Sequence, residues 1–350
     1  MHLYLHIPFC ESKCHYCAFT SLRLKDEKAY MDALLKDLIS KKSLFEKEKI
    51  TTLFIGGGTP SCVKARHFER IFDFLQPFLA SKCELTSEAN PSSASFNWLK
   101  KMKELGLNRL SFGAQSFNEK KLHFLGRIHS SKQIFKAFEN ALKAGFKNLN
   151  IDLIYDTKLD DKKMLEFELK ELSKLDFLTH VSAYSLSIEK NTAFAKRPKF
   201  KKNAPLLASF FIKELEKLGF KQYEISNFCK KGFKCKHNLA YWQGKNYLAC
   251  GLSGVSFYEN ARFYTRPNLK AYIKEPLFRS KELLSKQDLN LEHLFLGLRS
   301  CVGIKKARLD ESTLQRANLL LEEKKLEFKR GSFFNKNFLL ADELVLFLQS

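Results

Sequence analysis

The sequence contains no apolar run long enough to cross a membrane. A transmembrane helix needs about 20 consecutive apolar residues, and the chain of 350 residues has no such stretch. It also shows neither the basic segment and apolar core of a signal peptide nor a low-complexity linker. Nine cysteines without a secretory signal indicate reduced thiols. We therefore expect a cytoplasmic protein.

Acidic side chains are scarce relative to basic ones. The 38 Asp and Glu residues stand against 60 Lys and Arg, which gives a net charge of +22. A balance this basic raises nucleic acid or an anionic membrane surface as partners. The two local concentrations, Lys196–Lys202 and Lys230–Lys236, are not interleaved with a nucleic-acid-reading motif. We interpret the excess lysines as solvated helix faces, and expect no nucleic-acid partner and at most peripheral membrane contact.

The first two thirds of the chain alternate between short apolar runs and amphipathic helical patterns. We predict strands at His2–Ile7, Thr51–Ile55, Cys83–Ala89, Arg109–Ala114, Leu149–Tyr155 and His180–Leu186. We predict helices at about Asp26–Lys47, Ala65–Leu79, Ser95–Leu105, Ser131–Ala144, Lys162–Leu175 and Pro205–Leu218. Repeated βα units predict a parallel sheet with helices outside. The expected fold class is therefore α/β, with an open, partial (β/α)6 TIM-like barrel.

The βα rhythm ends near Lys221, and the rest of the chain has a different character. Helical patterns at Leu291–Arg299 and Ser312–Glu323 are followed by two short strands around Gly331 and a final helix at Asp342–Gln349. This order is typical of a winged-helix-like unit, which does not by itself establish DNA binding. We predict a core domain over residues 1–225 and a smaller α+β domain over residues 226–350.

No fourth cysteine accompanies the three near the amino terminus. Cys10, Cys14 and Cys17 follow the first predicted strand with the spacing C-x3-C-x2-C, and the next two cysteines stand alone. Iron–sulfur clusters normally take four thiolates, so three thiolates on one loop suit a [4Fe–4S] cube with one iron open to a small molecule. Two alternatives stay open: a structural zinc site with His15 as the fourth ligand, and three buried core cysteines.

Polar groups and glycines follow the next predicted strands at the same edge. The run Gly56–Pro60 follows the second strand, Glu88 and Gln115 end the third and fourth, and Asp152 lies in the fifth. Ligands collect at the carboxyl ends of parallel strands. We expect these groups to surround one cavity together with the cysteine loop.

The ordered set of motifs resembles the radical S-adenosylmethionine (SAM) superfamily, and within it the oxygen-independent coproporphyrinogen III oxidase family. The resemblance covers essentially the whole chain. It is carried by the segments Tyr4–Cys10, Gly56–Ser61, Glu88–Pro91, Arg109–Phe117, Gly126–His129 and Asn150–Tyr155.

The resemblance implies a [4Fe–4S] cluster on the three cysteines and SAM on its open iron. The implied SAM pocket is formed by Tyr4, Tyr16, Gly57, Gly58, Thr59, Glu88, Gln115, Arg127 and Asp152. Glycines without Cβ let the backbone approach the ligand, carboxylates accept hydrogen bonds from hydroxyl or ammonium groups, and an arginine pairs with the SAM carboxylate. Taken singly, each of these residues is more often a turn glycine, a surface charge, a helix cap or a packed aromatic.

Two features make the resemblance closer to the HemW-type heme chaperone branch than to the oxidase. Phe19 stands where the oxidase carries a further cysteine, and the segment His237–Trp242 (HNLAYW) is similar to the branch signature associated with heme binding. The resemblance implies His237 as a heme ligand, since neutral imidazole is a common axial ligand, with nearby lysines meeting the propionates. Cys229 and Cys235 are alternative thiolate ligands.

We therefore expect a chaperone that binds a [4Fe–4S] cluster, SAM and heme, and that delivers heme to acceptor proteins. An electron donor such as a flavodoxin or ferredoxin is a further expected partner. The first alternative is a coproporphyrinogen III oxidase, which performs SAM-dependent oxidative decarboxylation to protoporphyrinogen IX. The second is a basic, zinc-containing nucleic-acid-binding protein. Whether the chain is an enzyme stays open.

Overall fold

Parallel strands that alternate with helices form the centre of the molecule. The structure is a computed structural model and describes residues 1–350. Its strands are β1 (His2–Ile7), β2 (Ile50–Gly57), β3 (Leu79–Ala89), β4 (Arg109–Gln115), β5 (Asn148–Tyr155), β6 (His180–Ser185), β7 (Lys221–Gln222), β8 (Asn227–Cys229), β9 (Tyr247–Cys250), β10 (Val255–Tyr258), β11 (Ala261–Tyr264), β12 (Ser280–Leu283), β13 (Ile304–Lys305), β14 (Leu326–Lys329) and β15 (Ser332–Asn335).

The helices lie mainly in the connections between these strands. They are α1 (Glu27–Ile39), α2 (Lys42–Lys47), α3 (Arg66–Leu75), α4 (Phe96–Glu104), α5 (Glu119–Leu125), α6 (Ser131–Lys143), α7 (Lys162–Ser173), α8 (Pro205–Lys217), α9 (Lys236–Trp242), α10 (Leu269–Lys274), α11 (Lys286–Leu298), α12 (Glu311–Glu322) and α13 (Ala341–Gln349). None of them combines the length and the apolar character needed to cross a membrane.

The main sheet contains 12 strands in the order β12-β11-β10-β9-β1-β2-β3-β4-β5-β6-β8-β7. Strands β1 to β6 are parallel neighbours in sequence order. This arrangement confirms the predicted α/β class and the open six-unit barrel. Because the order of parallel strands puts all their carboxyl ends on one edge, the loops after β1 to β5 lie together there.

Side chains alternate across β1 and so connect the core to the functional edge. Leu3, Leu5 and Ile7 are fully buried in the main hydrophobic cluster, which also takes in the inner faces of the helices. Tyr4 and His6, on the other face of the strand, line a large cavity. The same strand therefore anchors the sheet and supplies part of the site.

The helix predicted over Asp26–Lys47 is in fact two helices. The hydroxyl of Ser40 donates to the carbonyl of Asp37 at 2.7 Å, which is the acceptor that a continuing helix would offer to the amide of Lys41. The Lys41 amide instead donates to Leu38 in a tighter turn. This local competition by a serine hydroxyl ends α1.

The sheet continues beyond the six predicted units. Strand β9 pairs in parallel with the free edge of β1, and β10 to β12 extend it as an antiparallel meander. On the opposite side β8 pairs antiparallel with β6. The domain boundary predicted at residues 225 and 226 stays a prediction, although the sheet itself runs past it to Leu283.

The carboxyl-terminal part has the predicted winged-helix-like outline. Helices α11, α12 and α13 pack around a small core of their own with the three-stranded sheet β13-β15-β14. Two backbone hydrogen bonds tie this unit to the barrel, from Ile225 to Arg299 at 2.8 Å and from Cys301 to Tyr223 at 2.7 Å. The unit is thereby held over the functional edge of the sheet.

Candidate functional site

The cysteine loop leaves the end of β1 and returns to it. The amide of Cys10 donates to the carbonyl of Leu22 at 2.8 Å, and the amide of Leu22 donates to Pro8 at 2.6 Å. These two bonds close the base of the loop, so that its intervening residues project from the carboxyl edge of the sheet. The three predicted ligands all lie in this projection.

The three thiols are free and partly exposed. Burial raises the pKa of the Cys10 and Cys17 thiols. The Sγ of Cys10 lies 3.3 Å from the Thr59 hydroxyl, and the Sγ of Cys14 accepts a hydrogen bond from Nη1 of Arg127 at 3.2 Å. A hydroxyl and a guanidinium therefore lie within hydrogen-bond distance of two of the three sulfurs.

The donor set fits a cluster better than a single ion. No three histidine, cysteine or carboxylate side chains come close enough together to hold one metal ion. A [4Fe–4S] cube takes each thiolate at a separate iron, so three thiols spread along one loop are a suitable set, with a cationic donor already on Cys14.

His15, the fourth ligand of the zinc alternative, is used to anchor the loop. Its Nδ1 donates to the carbonyl of Phe124 at 2.9 Å, and its backbone amide donates to Leu125 at 3.0 Å. A Cβ on Gly126 would lie 2.8 Å from the imidazole ring. The ring is thus fixed against the end of α5.

The glycine run after β2 packs directly against the cysteine loop. Gly57 has a φ of +110°, and a Cβ there would lie 2.6 Å from the ring of His6. A Cβ on Gly58 would lie 2.6 Å from the Phe9 carbonyl and 3.0 Å from the sulfur of Cys10. The structure requires glycine at both places for this close approach.

Two carboxylates occupy the inner face of the sheet at this edge. Burial, with Asp152 nearby, raises the pKa of Glu88 to about 8, while Gly57 donates its amide to Oε2 of Glu88 at 3.2 Å. Burial also raises the pKa of Asp152, whose carboxylate accepts from Asn150 at 2.7 Å and from the Ser111 hydroxyl at 3.3 Å. Both are acceptors aimed into the interior of the barrel.

Arg127 joins the cysteine loop to the ends of β3 and β4. Its Nη2 donates to the carbonyl of Gly113 at 2.5 Å and to Oδ1 of Asn90. Its buried Nε has no hydrogen-bond partner, which leaves a donor for an acidic ligand. Gln115 lies beside this group at a bulge in β4, with a φ of +70°.

The two predicted tyrosines and Thr59 lie around the same edge in different surroundings. The Tyr4 hydroxyl lies 3.2 Å from Nδ1 of His6. Tyr16 packs against a separate apolar cluster on the far side of the cysteine loop, and burial raises its pKa. Thr59 accepts a hydrogen bond from Nδ2 of Asn90 at 3.2 Å. Most of the predicted SAM set therefore lies at one edge of the sheet, whereas Tyr4 and Asp152 lie within β1 and β5, and the roles of all nine residues stay predictions.

His237 is buried at the start of α9 and is not among the residues that line the large cavity bordered by Tyr4 and His6. Its Nδ1 lies 2.7 Å from the Thr52 hydroxyl, and its Nε2 lies 2.9 Å from the hydroxyl of Tyr241. Burial, with His2 nearby, lowers the pKa of His237 to about 3. The imidazole is neutral, and both of its nitrogens are engaged in this conformation. Heme ligation by His237 stays a prediction.

The alternative thiolate ligands are buried as well. Burial raises the pKa of Cys235 to about 12 and raises that of Cys229. The Cys235 thiol faces Oε1 of Glu84 at 3.6 Å. Both surroundings favour the neutral thiol, which is a poor iron ligand.

A cavity of about 870 Å³ opens between the barrel and the carboxyl-terminal unit. The cysteine loop, α9, strands β9, β10 and β11, and α11 contribute to its wall. Its lining includes Tyr4, His6, Phe19, Thr20, Tyr241, Trp242, Lys245, Tyr247, Phe257, Arg262, His293, Lys305 and Arg308. Phe19 is 69% exposed at this opening. The cavity is therefore aromatic and basic, and it shares a wall with the cysteine loop.

Several of these lining residues were not singled out by the sequence. His293 is one: its Nε2 accepts the backbone amide of Lys305 at 2.9 Å and so ties α11 to β13. Burial, with Arg308 nearby, lowers its pKa to about 4. The aromatic pair Tyr241 and Trp242, which closes the HNLAYW segment, was the signal in the sequence that pointed to a heme-binding wall. Tyr4 and Phe19 were named from the sequence for other reasons, and the remaining lining residues come from elements that are far apart in the chain.

Comparison with known proteins yields both a family match and full-length relatives. The family model described as the Radical SAM superfamily matches residues 4–167. Heme chaperone HemW of Bacillus subtilis (strain 168) is 33% identical over 326 residues, which cover 88% of this chain and 86% of that protein. Heme chaperone HemW of Escherichia coli (strain K12) is 36% identical over 272 residues, covering 74% and 71%.

A solved structure shares the fold over nearly the whole chain. Coproporphyrinogen III oxidase (HemN) from Escherichia coli, described as a radical SAM enzyme, superposes with a TM-score of 0.82 over 99% of this chain and 89% of its own. The identity is 21%, so this likeness concerns the architecture alone.

Proposed function

Because this chain belongs to the HemW family of heme chaperones within the radical SAM superfamily, we propose that it binds heme and hands it to heme-accepting proteins. The observation that carries this proposal is the cavity of about 870 Å³ beside the cysteine loop. Its volume is within the range of roughly 300–1,000 Å³ found for ligand pockets. Its aromatic and basic lining matches the two chemical halves of heme.

The lining offers separate partners to the porphyrin plane and to the propionates. Trp242, Tyr247 and Phe257 present flat apolar surface, which favours stacking on an aromatic macrocycle. Lys245, Lys305 and Arg308 are basic side chains of the wall, and such groups form charge-assisted hydrogen bonds with carboxylates. Arg262 also lines the wall, where it is paired with Glu292. These residues differ from the lysines that the sequence suggested for the propionates, which are Lys230, Lys231 and Lys234 before α9 and Lys236 at its start.

The cluster would be held by Cys10, Cys14 and Cys17, with Arg127 donating to the sulfur of Cys14. A [4Fe–4S] cluster supplies one-electron chemistry and an open iron for SAM when it is bound. Hydrogen bonds to cluster sulfurs tune such centres, which gives the Arg127 contact a chemical purpose besides holding the loop. An electron donor such as a flavodoxin or ferredoxin is part of this proposal.

SAM would bind at the edge between the glycine run and Arg127. Gly57 and Gly58 keep Cβ atoms out of the approach, and the free Nε of Arg127 offers a donor to a carboxylate. Glu88 and Asp152 offer acceptors to hydroxyl or ammonium groups. Tyr4, Tyr16, Thr59 and Gln115 complete the proposed pocket.

A coproporphyrinogen III oxidase is the second candidate function, since the fold superposes on one. Phe19 argues against it, because the oxidase carries a further cysteine there and the phenylalanine projects into the cavity opening instead. Product analysis with reduced cluster, SAM and coproporphyrinogen III decides between the two. Protoporphyrinogen IX formed over several turnovers would replace the chaperone function by the enzyme.

The heme function is tested by titrating hemin into the purified protein and into charge-reversal variants. Lys245→Glu should weaken binding, because it puts a carboxylate on the cavity wall. Lys213→Glu is the matched control, since Lys213 is exposed on α8 and lies outside the cavity. An equal loss of hemin affinity in both variants would mean that the effect comes from net charge and not from the cavity wall. A wild type that binds no hemin would refute the proposal. Cytoplasmic location and the lack of a nucleic-acid partner stay predictions.

A further inference from the structure

Two hydrogen-bonded tyrosine–histidine pairs meet the large cavity. In the first, the Tyr241 hydroxyl lies 2.9 Å from Nε2 of His237. In the second, the Tyr4 hydroxyl lies 3.2 Å from Nδ1 of His6. Tyr241 lines the cavity, whereas His237 is 1% exposed and lies behind it. Tyr241 and Trp242 are the residues of the HNLAYW segment that line the cavity, and of these two only Tyr241 carries an oxygen that can bind iron.

We propose that the phenolate oxygen of Tyr241, and not the imidazole of His237, is the axial ligand of ferric heme in this cavity. His237 is then a positioning residue that orients the phenol through its Nε2. This inference rests on the proposed heme function and names the ligand within it. Tyrosine is an established axial ligand of haem iron in other proteins.

A chain of hydrogen bonds leads from the Tyr241 hydroxyl to the protein surface. Nδ1 of His237 lies 2.7 Å from the Thr52 hydroxyl, and that hydroxyl lies 2.9 Å from Nδ1 of His2. Thr52 is buried and His2 is partly exposed. Each neutral histidine has one donor and one acceptor nitrogen, so the chain is consistent with donors running in one direction from Tyr241 to His2.

Burial raises the pKa of the Tyr241 phenol, so the phenol keeps its proton until iron binds, and the hydrogen-bonded chain accounts for where that proton then goes. When the Fe(III)–O bond forms, the O–H bond of Tyr241 breaks and its proton moves to Nε2 of His237. The Nδ1 proton of His237 passes to Thr52, the Thr52 hydroxyl proton passes to Nδ1 of His2, and His2 releases a proton to water. The iron stays ferric throughout, so no oxidant or reductant is required.

The two histidines of the cavity wall, and the Tyr4 phenol paired with one of them, are less suited to this role. Nε2 of His6 lies 3.2 Å from the backbone carbonyl of Thr20, so the Tyr4 pair ends on an acceptor that has no proton to pass on. Nε2 of His293 already accepts the amide of Lys305 at 2.9 Å. Of the two tyrosine–histidine pairs, only that of Tyr241 continues to the surface.

The ligand assignment is tested by resonance Raman and absorption spectroscopy of the full-length protein loaded with hemin. The wild type should show the phenolate–iron vibration. Tyr241→Phe should lose it, and His237→Gln should keep it while binding hemin about tenfold to a hundredfold more weakly, the usual effect of losing a partner behind a ligand. Tyr264→Phe is the matched control, because Tyr264 is a hydrogen-bonded phenol on β11 outside the cavity, and it should behave as the wild type.

The outcomes separate this inference from the function on which it rests. A wild type that binds no hemin refutes the heme function itself. A wild type that binds hemin, with an unchanged spectrum in Tyr241→Phe or a lost axial ligand in His237→Gln, refutes the assignment to Tyr241. If Tyr241→Phe does not fold, Tyr241→His decides: it should convert the spectrum to that of an imidazole-ligated heme, and an unchanged spectrum overturns the proposal.

The proton path has its own matched pair of variants on β2. Thr52→Val interrupts the chain, whereas Thr51→Val removes a neighbouring hydroxyl that donates to the Met1 carbonyl at 3.1 Å and lies 3.5 Å from Nδ1 of His2, beside the chain and not within it. Stopped-flow mixing with hemin should show slower formation of the phenolate-bound species in Thr52→Val, with the final spectrum unchanged, and wild-type rates in Thr51→Val. Equal rates in the two variants would refute the path.

Discussion

Replacing Gly57 by alanine tests whether the glycine run is shaped by its contact with His6. The φ of Gly57 is +110°, and an added Cβ would lie 2.6, 2.7 and 2.9 Å from three atoms of the imidazole. An L-residue in such a conformation costs about 1–3 kcal/mol, and an overpacked contact costs about 1–3 kcal/mol more. We therefore expect Gly57→Ala to lower the free energy of unfolding by about 2–6 kcal/mol.

Hydrogen bonds hold the His6 imidazole in place, so we expect it to keep its position and the Cβ added by Gly57→Ala to remain overpacked against it. Nδ1 of His6 lies 3.2 Å from the Tyr4 hydroxyl, and Nε2 lies 3.2 Å from the Thr20 carbonyl. Moving the ring breaks both contacts, each worth about 1 kcal/mol net. The strain would thus spread to the cysteine loop that carries Thr20.

Gly232→Ala is the control that isolates the contact from the backbone strain. Gly232 has a φ of +91°, and a Cβ there would meet nothing within 4 Å. Urea denaturation of both variants should give a loss for Gly57→Ala that exceeds the loss for Gly232→Ala by about 1–3 kcal/mol. In addition, His6→Ala should relieve the excess in a double-mutant cycle. Equal losses in the two glycine variants, or no coupling to His6, would refute the packing argument.

Three further predictions concern the cluster, the buried charges and the pH dependence. Iron and sulfide analysis should show loss of the cluster in Cys10→Ala, Cys14→Ala and Cys17→Ala. The controls Cys62→Ala and Cys83→Ala should keep it. Unchanged iron content in the variant that carries all three of the first substitutions would exclude the assignment. Lys121 is 1% exposed, and its Nζ lies 2.6 Å from Asp160 and 3.6 Å from Glu168. Because Lys121→Met leaves two buried carboxylates without their cation, it should lower the free energy of unfolding by about 3–5 kcal/mol. Lys120→Met, at an exposed position, should change it little, and equal effects of the two substitutions would contradict the buried network. Burial raises the pKa of Glu88 from 4.5 to about 8, so between these pH values the folded protein binds more protons than the unfolded chain. The free energy of unfolding of the ligand-free wild type should therefore fall as the pH rises through that interval. An equally steep fall in Glu88→Gln would assign the pH dependence to another group.

The parallel half of the fold followed from the sequence because each strand is a buried apolar run that ends at a polar or glycine-rich turn. β1 and the carboxyl ends of β3 and β5 are where the pattern predicted them. β9 and the meander β10 to β12 were missed because each strand is only four residues long, and β9 in addition pairs with a distant partner, as Tyr247 pairs with His2. Patterns of period two need longer strands to be visible.

The site divides in the same way. The cysteine loop, the glycine run and the strand-end carboxylates could be placed at one edge because the order of parallel strands dictates it. The surroundings of His237 could not, because its partner Thr52 comes from β2 and its burial depends on α9 packing against that strand. Most of the cavity wall could not be predicted either, since Arg262, His293 and Arg308 come from a strand, a helix and a short helical turn that are far apart in the sequence.

His6 is the point at which the two halves of the site touch. Its ring packs on Gly57, which borders the proposed SAM pocket, and it also lines the cavity proposed for heme. Through the Thr20 carbonyl the same ring is bonded to the loop that carries the three cysteines. Because packed side chains transmit displacement instead of absorbing it, a loop that tightens around a cluster moves a wall of the cavity. The heme affinities of two variants should therefore be compared at equal cluster content. A cysteine variant that still binds heme shows only that loss of the cluster leaves the cavity wall in place.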